Sequence, residues 1–215
     1  MLNKVVEKYV IDSLYESTEQ LARMEQYAKE HRIPIMDPIG IQCLKQLVNI
    51  HQPNRILEIG TAIGYSALQM AQVSNSIEIT TIERDRARYE EALDYIKESG
   101  EAKRINVQFG DALDLLPQLQ KNDELFDFVF IDAAKGSYTT FFEQSVAMLT
   151  DQGVIVSDNV LFRGYVAHVE DAPKRYKKLA EKIREYNEWL MNRKDFQTVI
   201  LPIGDGIAVS VRKST

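Results

Sequence analysis

The stretch Arg55-Ile-Leu-Glu-Ile-Gly-Thr-Ala-Ile-Gly-Tyr-Ser66 decides the fold of this chain. Its first five residues are a short, mostly apolar run, which is typical of a strand buried on both faces of a sheet. Gly60 and Gly64 then permit a tight turn into a helix and a close approach of the backbone to a ligand. This is neither the GxGxxG dinucleotide fingerprint nor a P-loop, because no Gly-Lys-Ser/Thr follows. A nucleoside ligand without a diphosphate fits better, since Glu58 would repel a pyrophosphate and suit a cationic group.

Strand-like and helical stretches alternate after this unit. Together with Arg55–Ile59, the expected strands are Ile77–Ile82, Ile105–Phe109, Phe126–Ile131, Val154–Ser157, Thr198–Pro202 and Ile207–Val211. The expected helices cover about 65–74, 86–99, 112–120, 137–149 and 172–191. This alternation predicts an α/β fold with a doubly wound, mostly parallel seven-stranded sheet. The last two strands are joined by Gly204-Asp205-Gly206, which predicts a C-terminal hairpin that forms an antiparallel edge.

The residues before the first strand are predicted to be extra helices. Apolar residues fall near helical spacing in the first thirty residues and again at Ile39–Ile50, with a proline-containing break at Ile33–Pro38 between them. We expect a single domain, 1–215, made of an N-terminal helical cap, 1–52, and an α/β core, 53–215.

Composition excludes several classes of protein. The chain of 215 residues has one cysteine, Cys43, so it has neither an intrachain disulfide nor a cysteine-based zinc site. Its first twenty residues mix acids with apolar residues, unlike a signal peptide, and no apolar run approaches the ~18 residues of a membrane span. A soluble cytoplasmic protein with no membrane partner is expected.

The charge is distributed unevenly along the chain. The formal charge is −6, yet residues 160–200 hold nine basic and six acidic side chains. A basic segment on an acidic protein suits a transient anionic substrate, and it is also what an ordinary solvated helix face contains. The sequence leaves both interpretations open.

Acidic residues follow the first three predicted strands or lie within them. Glu83, about 20 residues after the glycine turn, is placed to accept the hydroxyls of a ribose, or else it caps the next helix, a role that Asp85 also fits. Asp111 follows Gly110 and is itself a helix-starting residue. With Glu58 and no phosphate-binding loop, this set predicts S-adenosylmethionine (AdoMet) as the ligand.

The fourth and fifth predicted strands end in a second polar set. Asp132 is followed by Lys135 three residues later, and the next strand ends in Asp158-Asn159. If the two strands are neighbours, three oxygen donors come together. An all-oxygen set with room for water and substrate suits Mg²⁺ and not zinc.

The stretches LEIGTAIGYS, TIERD, GDA, FIDAAKGSY and SDNVLFRG resemble, in order and spacing, the metal-dependent O-methyltransferases of the catechol and caffeoyl-CoA type. That resemblance implies the Rossmann-like fold of class I AdoMet methyltransferases, a homodimer, and a general base, Lys135. It also implies that Asp132, Asp158 and Asn159 bind Mg²⁺ and that Glu58, Gly60 and Tyr65 shape the AdoMet pocket. The implied AdoMet contacts are Met36, Ser66, Glu83, Asp111, Ala112 and Asp132.

Within that family the chain is most similar to the bacterial tRNA 5-hydroxyuridine methyltransferases. The narrower match rests on HRIPIM, DNVLFRGYVA, EYNEWLMN and LPIGDGIAVS. It implies the anticodon stem-loop of tRNA as substrate. From the charge distribution we expect the basic segment, with Tyr165, Tyr176 and Tyr186, to carry the flanking phosphates. Trp189 and Leu190 are expected to pack their helix onto the body.

Three functions stay open from the sequence. Catechols and 5-hydroxyuridine both offer two neighbouring oxygens to a metal, so the same site serves tRNA methylation at the wobble position or methylation of a small catechol-like phenol. The third is a non-enzymatic AdoMet-binding or RNA-binding module, which has little need for the Asp132, Asp158, Asn159 and Lys135 set.

Overall fold

The computed structural model describes residues 4–14 and 17–213. Within them the helices are α1 Lys4–Asp12, α2 Glu19–His31, α3 Pro38–His51, α4 Tyr65–Ala71, α5 Arg86–Glu98, α6 Ala112–Lys121, α7 Tyr138–Val146 and α8 Lys174–Asn192. The strands are β1 Arg55–Ile59, β2 Glu78–Glu83, β3 Ile105–Phe109, β4 Phe126–Ile131, β5 Leu149–Ser157, β6 Phe196–Leu201 and β7 Ile207–Arg212. Short 3₁₀ turns lie at Lys135–Ser137, Phe162–Gly164 and Val169–Asp171.

The strands form one sheet in the order β3-β2-β1-β4-β5-β7-β6. The pairs from β3 to β5 are all parallel. The chain runs outward from β1 to β3 and then crosses to β4 on the other side of β1, so the strand order reverses between β1 and β4. Ligands bind outside the carboxyl ends of the strands at such a switch point. The expected α/β fold with a mostly parallel seven-stranded sheet is confirmed.

The hairpin of β6 and β7 forms one end of the sheet. Within it β7 pairs antiparallel with both β5 and β6, so β6 is the outermost strand. The burial explains this order: Ile207 and Ala208 of β7 are fully buried, whereas β6 alternates with exposed residues such as Val199. The expected C-terminal hairpin at an antiparallel edge of the sheet is confirmed.

Several elements differ from their predicted bounds: α4 ends at Ala71 rather than at residue 74, and β6 begins two residues earlier than expected. β5 begins at Leu149, five residues before the expected start at Val154. The first part of this strand is polar and so lacks an apolar strand pattern, although it pairs with the start of β4. For the same reason α7 ends at Val146 rather than at residue 149.

Apolar side chains alternate along the parallel strands and fill a core on each face of the sheet. Ile56 and Phe128 face a core completed by α2, α3, α4 and α5. Leu57 and Val129 face the opposite core, completed by α6, α7 and α8. Since α2 and α3 contribute fully buried Met24 and Leu44 to the first core, the predicted cap packs directly onto the α/β layer. Among the described residues, no helix is both long enough and apolar enough to cross a membrane.

Candidate functional site

A cavity of about 470 Å³ opens at the carboxyl ends of the parallel strands. This volume is within the roughly 300–1,000 Å³ typical of small-molecule sites. The predicted site residues that line it are Met36, Gly60, Tyr65, Ser66, Glu83, Asp111, Ala112, Asp132, Lys135, Asp158 and Asn159. The fold thus brings together every predicted site residue except Glu58.

The glycine turn after β1 is required by a close approach of two strand ends. Gly60 has a φ of +106°, and a Cβ atom there would lie 2.1 Å from the carbonyl oxygen of Asp132. Gly64, with a φ of +84°, leads directly into α4. The backbone between them forms one wall of the cavity, as a site for a closely held ligand requires.

Glu58 lies beneath the cavity and not in its wall. Its carboxylate is fully buried and accepts hydrogen bonds from Ser66 Oγ and Thr81 Oγ1, each at 2.5 Å. Burial raises the pKa of Glu58 to about 7, against the opposing effect of the two hydroxyl donors. The pleat of β1 turns this side chain toward β2 and α4, so Glu58 borders the cavity only through Ser66, and its role in shaping an AdoMet pocket stays a prediction.

Glu83 ties the ends of β1 and β2 together. One carboxylate oxygen accepts from the backbone N–H of Ala62 and the other from that of Asp85, both at 2.8 Å. Asp85 is the residue that caps α5, since it accepts from the N–H of Arg88. The alternative that Glu83 is only a helix cap is therefore wrong.

Asp111 combines a cap with a place in the cavity wall. Its side chain accepts from the N–H of Leu113 at 3.0 Å at the start of α6. Its other oxygen lies 3.4 Å from Nη1 of Arg84, which also lines the cavity. Arg84 was not among the residues predicted from the sequence, although it directly follows the predicted cavity residue Glu83.

Asp132 and Lys135 face each other at the end of β4. Nζ of Lys135 lies 3.5 Å from Oδ1 of Asp132 and 5.8 Å from the ring centroid of Tyr138. Burial raises the pKa of Asp132, while the ammonium of Lys135 opposes that shift. The 3₁₀ turn at Lys135–Ser137 returns the lysine toward the strand end.

Asp158 and Asn159 lie beside this pair at the end of β5. Ser157 pairs with Ile131, and the N–H of Asp158 donates to the carbonyl of Ile131 at 3.0 Å, so the conditional prediction that the two strands are neighbours is confirmed. Burial and the negative charge of Asp132 raise the pKa of Asp158 well above its ordinary value.

The oxygen donors of these residues form a small group. Nδ2 of Asn159 donates to Asp158 at 2.9 Å, which leaves the amide oxygen of Asn159 free of that contact. In the part of the chain that the structure describes, no group of three or more His, Cys, Asp or Glu is placed to hold a metal. A metal set here consists of two carboxylates and an amide.

Two further acids line the cavity and were missed by sequence reasoning. Asp37 caps α3 through the N–H groups of Ile39 and Gly40. Asp205, in the β6–β7 connection, accepts from the backbone N–H of Leu161 and, through its side chain, from that of Arg163. The Asp-Pro start of α3 was a usable signal for the first, whereas only the tertiary fold brings the second to the site.

Some side chains of the basic segment at residues 160–200 are buried or ion-paired within the protein, and others are exposed to solvent. Tyr186 is buried and its hydroxyl bonds Ser157 Oγ at 2.7 Å, so the expectation that it lies on an anion-binding face is wrong. Arg193 forms ion pairs with Glu143 and Asp195. The expected packing role is confirmed for Leu190, which is fully buried, and for Trp189, whose ring contacts Phe142 and Tyr186. Seven basic side chains of the segment are exposed, at Arg163, Lys174, Arg175, Lys178, Lys182, Arg184 and Lys194.

Comparison with known proteins identifies the family of this chain. The O-methyltransferase family model matches residues 10–213. A caffeoyl-CoA O-methyltransferase from Populus kitakamiensis is 33% identical over 174 residues, which are 79% of this chain and 74% of the relative. The structure of an O-methyltransferase from Bacillus cereus in complex with SAH has a TM-score of 0.84 at 29% identity, over 97% of each chain.

A second solved structure supports the same class. The O-methyltransferase TomG from Streptomyces achromogenes, involved in tomaymycin synthesis and solved in complex with SAM (AdoMet), has a TM-score of 0.83 at 29% identity, over 98% of this chain and 96% of that one. The fold and the cavity define an AdoMet-dependent methyltransferase. The chain belongs to the O-methyltransferase family.

Proposed function

We propose that this O-methyltransferase uses Mg²⁺ and methylates 5-hydroxyuridine at the wobble position of tRNA to 5-methoxyuridine. The observation that carries the proposal is the group at the ends of β4 and β5. Asp132, Asp158 and Asn159 present oxygens in the same cavity as the glycine turn, with Lys135 Nζ 3.5 Å from Asp132.

The chemistry of this donor set fits a hard dication. The carboxylate of half-buried Asp132 lies close enough to that of buried Asp158 for its charge to raise the pKa of Asp158, and the ammonium of Lys135 opposes the rise in both pKa values. A divalent ion relieves that repulsion, and oxygen ligands are those Mg²⁺ prefers. Asp132, Asp158 and Asn159 would hold it. When bound, Mg²⁺ lowers the pKa of a substrate hydroxyl and orients it.

The opposite part of the cavity fits AdoMet. Gly60 leaves no space for a side chain, Glu83 and Asp111 provide carboxylate oxygens, and Met36 contributes an apolar wall. The two carboxylates suit the hydroxyls of a ribose, and the apolar surface suits an adenine ring. AdoMet supplies the methyl group as a sulfonium that is displaced in line.

Lys135 is assigned as the general base. Its amine in the neutral form accepts the proton of the substrate hydroxyl at Nζ, and Asp132 fixes the side chain at the edge of the cavity. Proton removal by a positioned base contributes typically ~10²–10⁴-fold to a rate.

The choice of tRNA rests on the exposed basic side chains of α8. Lys174, Arg175 and Lys178 provide charge for backbone phosphates, and an exposed anticodon loop allows its wobble base to be splayed into a pocket. Nucleoside mass spectrometry of tRNA from a strain lacking the gene tests the proposal. Accumulation of 5-hydroxyuridine with loss of 5-methoxyuridine is expected.

A small catechol-like phenol is the second candidate substrate. It is favoured by the relatives named as caffeoyl-CoA O-methyltransferases, such as the one from Populus kitakamiensis. Unchanged tRNA nucleosides, together with rapid methylation of a free catechol by the purified protein, would replace the first proposal with this one.

We also propose a homodimer formed through α1. Its apolar side chains Val6 and Tyr9, which lie three residues apart on one face of the helix, are exposed. An exposed apolar face of this kind marks an interaction surface. Light scattering should give twice the chain mass for the protein and the single mass for Tyr9→Asp. A monomeric mass for both would remove the dimer.

A further inference from the structure

Asn159 has an unusual backbone conformation at the tip of β5. Its φ is +58°, in the left-handed region that residues other than glycine seldom occupy and that asparagine tolerates. The same residue lines the cavity, and its amide donates to the carboxylate of Asp158 at 2.9 Å. A residue that contributes an oxygen to the proposed metal site is therefore held in a conformation that needs support from its surroundings.

The peptide groups on both sides of Asn159 are fixed by hydrogen bonds. The carbonyl of Asp158, in the preceding peptide, accepts from the hydroxyl of Tyr138 at 3.0 Å. The N–H of Val160, in the following peptide, donates to the carbonyl of Gly206 at 3.0 Å. Because the torsion angles of a residue are set by the two peptide planes that flank it, these two bonds determine the backbone of Asn159.

The next peptide is held by a buried amide of α8. Nδ2 of Asn187 donates to the carbonyl of Val160 at 2.7 Å. In the part of the chain that the structure describes, Oδ1 of Asn187 is buried without a hydrogen-bond partner, so the bond to Val160 is the one that this amide makes. An amide buried for a single hydrogen bond favours a role in fixing the segment after Asn159.

We infer that Tyr138 is a positioning residue whose hydroxyl holds Asn159 in the left-handed conformation and so keeps the amide oxygen of Asn159 in place for the cation. The inference deepens the proposed function and rests on its Mg²⁺ site. Tyr138 is fully buried, and its ring centroid lies 5.8 Å from Nζ of Lys135. One side chain thus meets the proposed base through its ring and the backbone of the metal site through its hydroxyl.

The alternative is that this hydroxyl only satisfies a buried carbonyl. Tyr186 provides the matched comparison, because its ring meets that of Tyr138 edge to face at 5.3 Å and its own buried hydroxyl bonds Ser157 Oγ at 2.7 Å. Ser157 directly precedes Asp158, but that bond joins two side chains and leaves the peptides beside Asn159 untouched. Loss of either hydroxyl should lower stability, whereas only the loss at Tyr138 should weaken cation binding.

Binding of Mn²⁺, a spectroscopic substitute for Mg²⁺, tests the inference without AdoMet, RNA or turnover. Tyr138→Phe keeps the ring beside Lys135 and removes the hydroxyl. In a titration followed by electron paramagnetic resonance its Kd for Mn²⁺ should rise about tenfold, since groups that orient metal ligands are typically worth roughly 10–100-fold in metal affinity. Tyr186→Phe should leave this Kd unchanged. The Kd for S-adenosylhomocysteine in calorimetry should be unchanged in both variants.

Asn159→Ala shows which residue transmits the effect. If the hydroxyl acts by positioning Asn159, adding Tyr138→Phe to Asn159→Ala should not raise the Kd for Mn²⁺ further, because the oriented oxygen is already absent. A merely structural hydroxyl predicts that the two losses add. Where Tyr138→Phe does not fold by circular dichroism, Asn187→Leu replaces it and should show the same dependence on Asn159.

An unchanged Kd for Mn²⁺ in Tyr138→Phe, an equal rise in Tyr186→Phe, or losses that add to that of Asn159→Ala would overturn the inference. Wild-type protein that does not bind Mn²⁺ would refute the metal proposal and the inference with it. The Mn²⁺ measurements involve no RNA, so unchanged tRNA nucleosides would remove only the choice of substrate. Failure of the positioning role is thus distinguishable from failure of the proposed function.

Discussion

The two halves of the cavity are held in different ways. Around the ends of β1, β2 and β3, the polar side chains are satisfied by the protein itself: Glu83 binds two backbone N–H groups and Asp111 binds one. At the ends of β4 and β5, Asp132 and Asp158 lie close together, and the charge of Asp132 raises the pKa of Asp158. The part at the ends of β1, β2 and β3, the cofactor half, therefore has its polar side chains bonded within the protein before a ligand binds. The part at the ends of β4 and β5, the acceptor half, holds two carboxylates that repel each other, and a bound cation would reduce that repulsion.

The largest expected effect is a loss of turnover caused by a substitution in the acceptor half alone. Asp158→Ala removes one proposed Mg²⁺ ligand, so turnover should fall by more than about 100-fold, or roughly 3 kcal/mol in barrier. Binding of S-adenosylhomocysteine by calorimetry should be retained. EDTA should abolish wild-type turnover and Mg²⁺ should restore it.

Asp151→Ala, which removes an exposed acid from the other end of β5, is the control and should keep full activity. Normal turnover of Asp158→Ala in EDTA would contradict the metal proposal.

The next effect concerns the buried carboxylate beneath the cofactor half. Below about pH 4.5 Glu58 is protonated in the folded and unfolded chain alike, whereas between that pH and about 7, its pKa in the folded chain, only the folded chain holds the extra proton. Raising the pH through this window therefore destabilises the fold, by roughly 3 kcal/mol at pH 8.

Urea unfolding across this pH range measures the effect as the difference between wild type and Glu58→Gln. The difference should move against the wild type as the pH rises, because the variant cannot ionise. Parallel curves would show that Glu58 titrates alike in both states.

A smaller effect is expected from the cofactor half at Glu83. Loss of a carboxylate that accepts from a ribose removes charge-assisted hydrogen bonds worth roughly 1.5–3 kcal/mol each. Glu83→Ala should raise the Kd for S-adenosylhomocysteine at least about tenfold in calorimetry. Asp85→Ala, which removes only the cap of α5, should lower stability without that loss of affinity, and equal Kd values for all three proteins would make Glu83 a structural residue.

The smallest expected effect tests whether basic residues outside the cavity contribute to substrate binding next to the acceptor half. Lys174→Ala/Arg175→Ala/Lys178→Ala should weaken tRNA binding, and log affinity should fall less steeply with log salt, by somewhat under one for each phosphate that is no longer neutralised. Methylation of the free 5-hydroxyuridine nucleoside should barely change, since these residues lie outside the cavity lining.

The exposed lysines of other helices, in Lys29→Ala/Lys97→Ala/Lys121→Ala, provide a control of equal charge that should leave the salt dependence unaltered. If the α8 variant behaves like this control, α8 is an ordinary solvated face.

The same contrast explains what could be predicted from the sequence. Residues of the cofactor half act within a few positions of their own strand ends, so the Gly60 turn, Glu83 and Asp111 were placed correctly by strand–turn–helix spacing. The side-chain direction of Glu58 was not, because it depends on the pleat of β1 against Thr81 of its neighbour.

Longer-range features were beyond the sequence. The pairing of β4 with β5, which joins Asp132 to Asp158, could be stated only conditionally. Asp205 reaches the cavity through a strand that inserts between β5 and β6, and Tyr186 turns inward to Ser157. Each of these outcomes depends on which elements pack together and not on local periodicity.

The position of β7 late in the chain also determines when certain hydrogen bonds can form during synthesis. The N–H groups of Val160 and Leu161, just after the acidic tip of β5, bond to the carbonyls of Gly206 and Asp205. A nascent chain that has produced everything up to α8 still lacks these partners. The segment that follows Asp158 and Asn159 therefore gains these two hydrogen bonds only after the ribosome has made the connection that leads into β7.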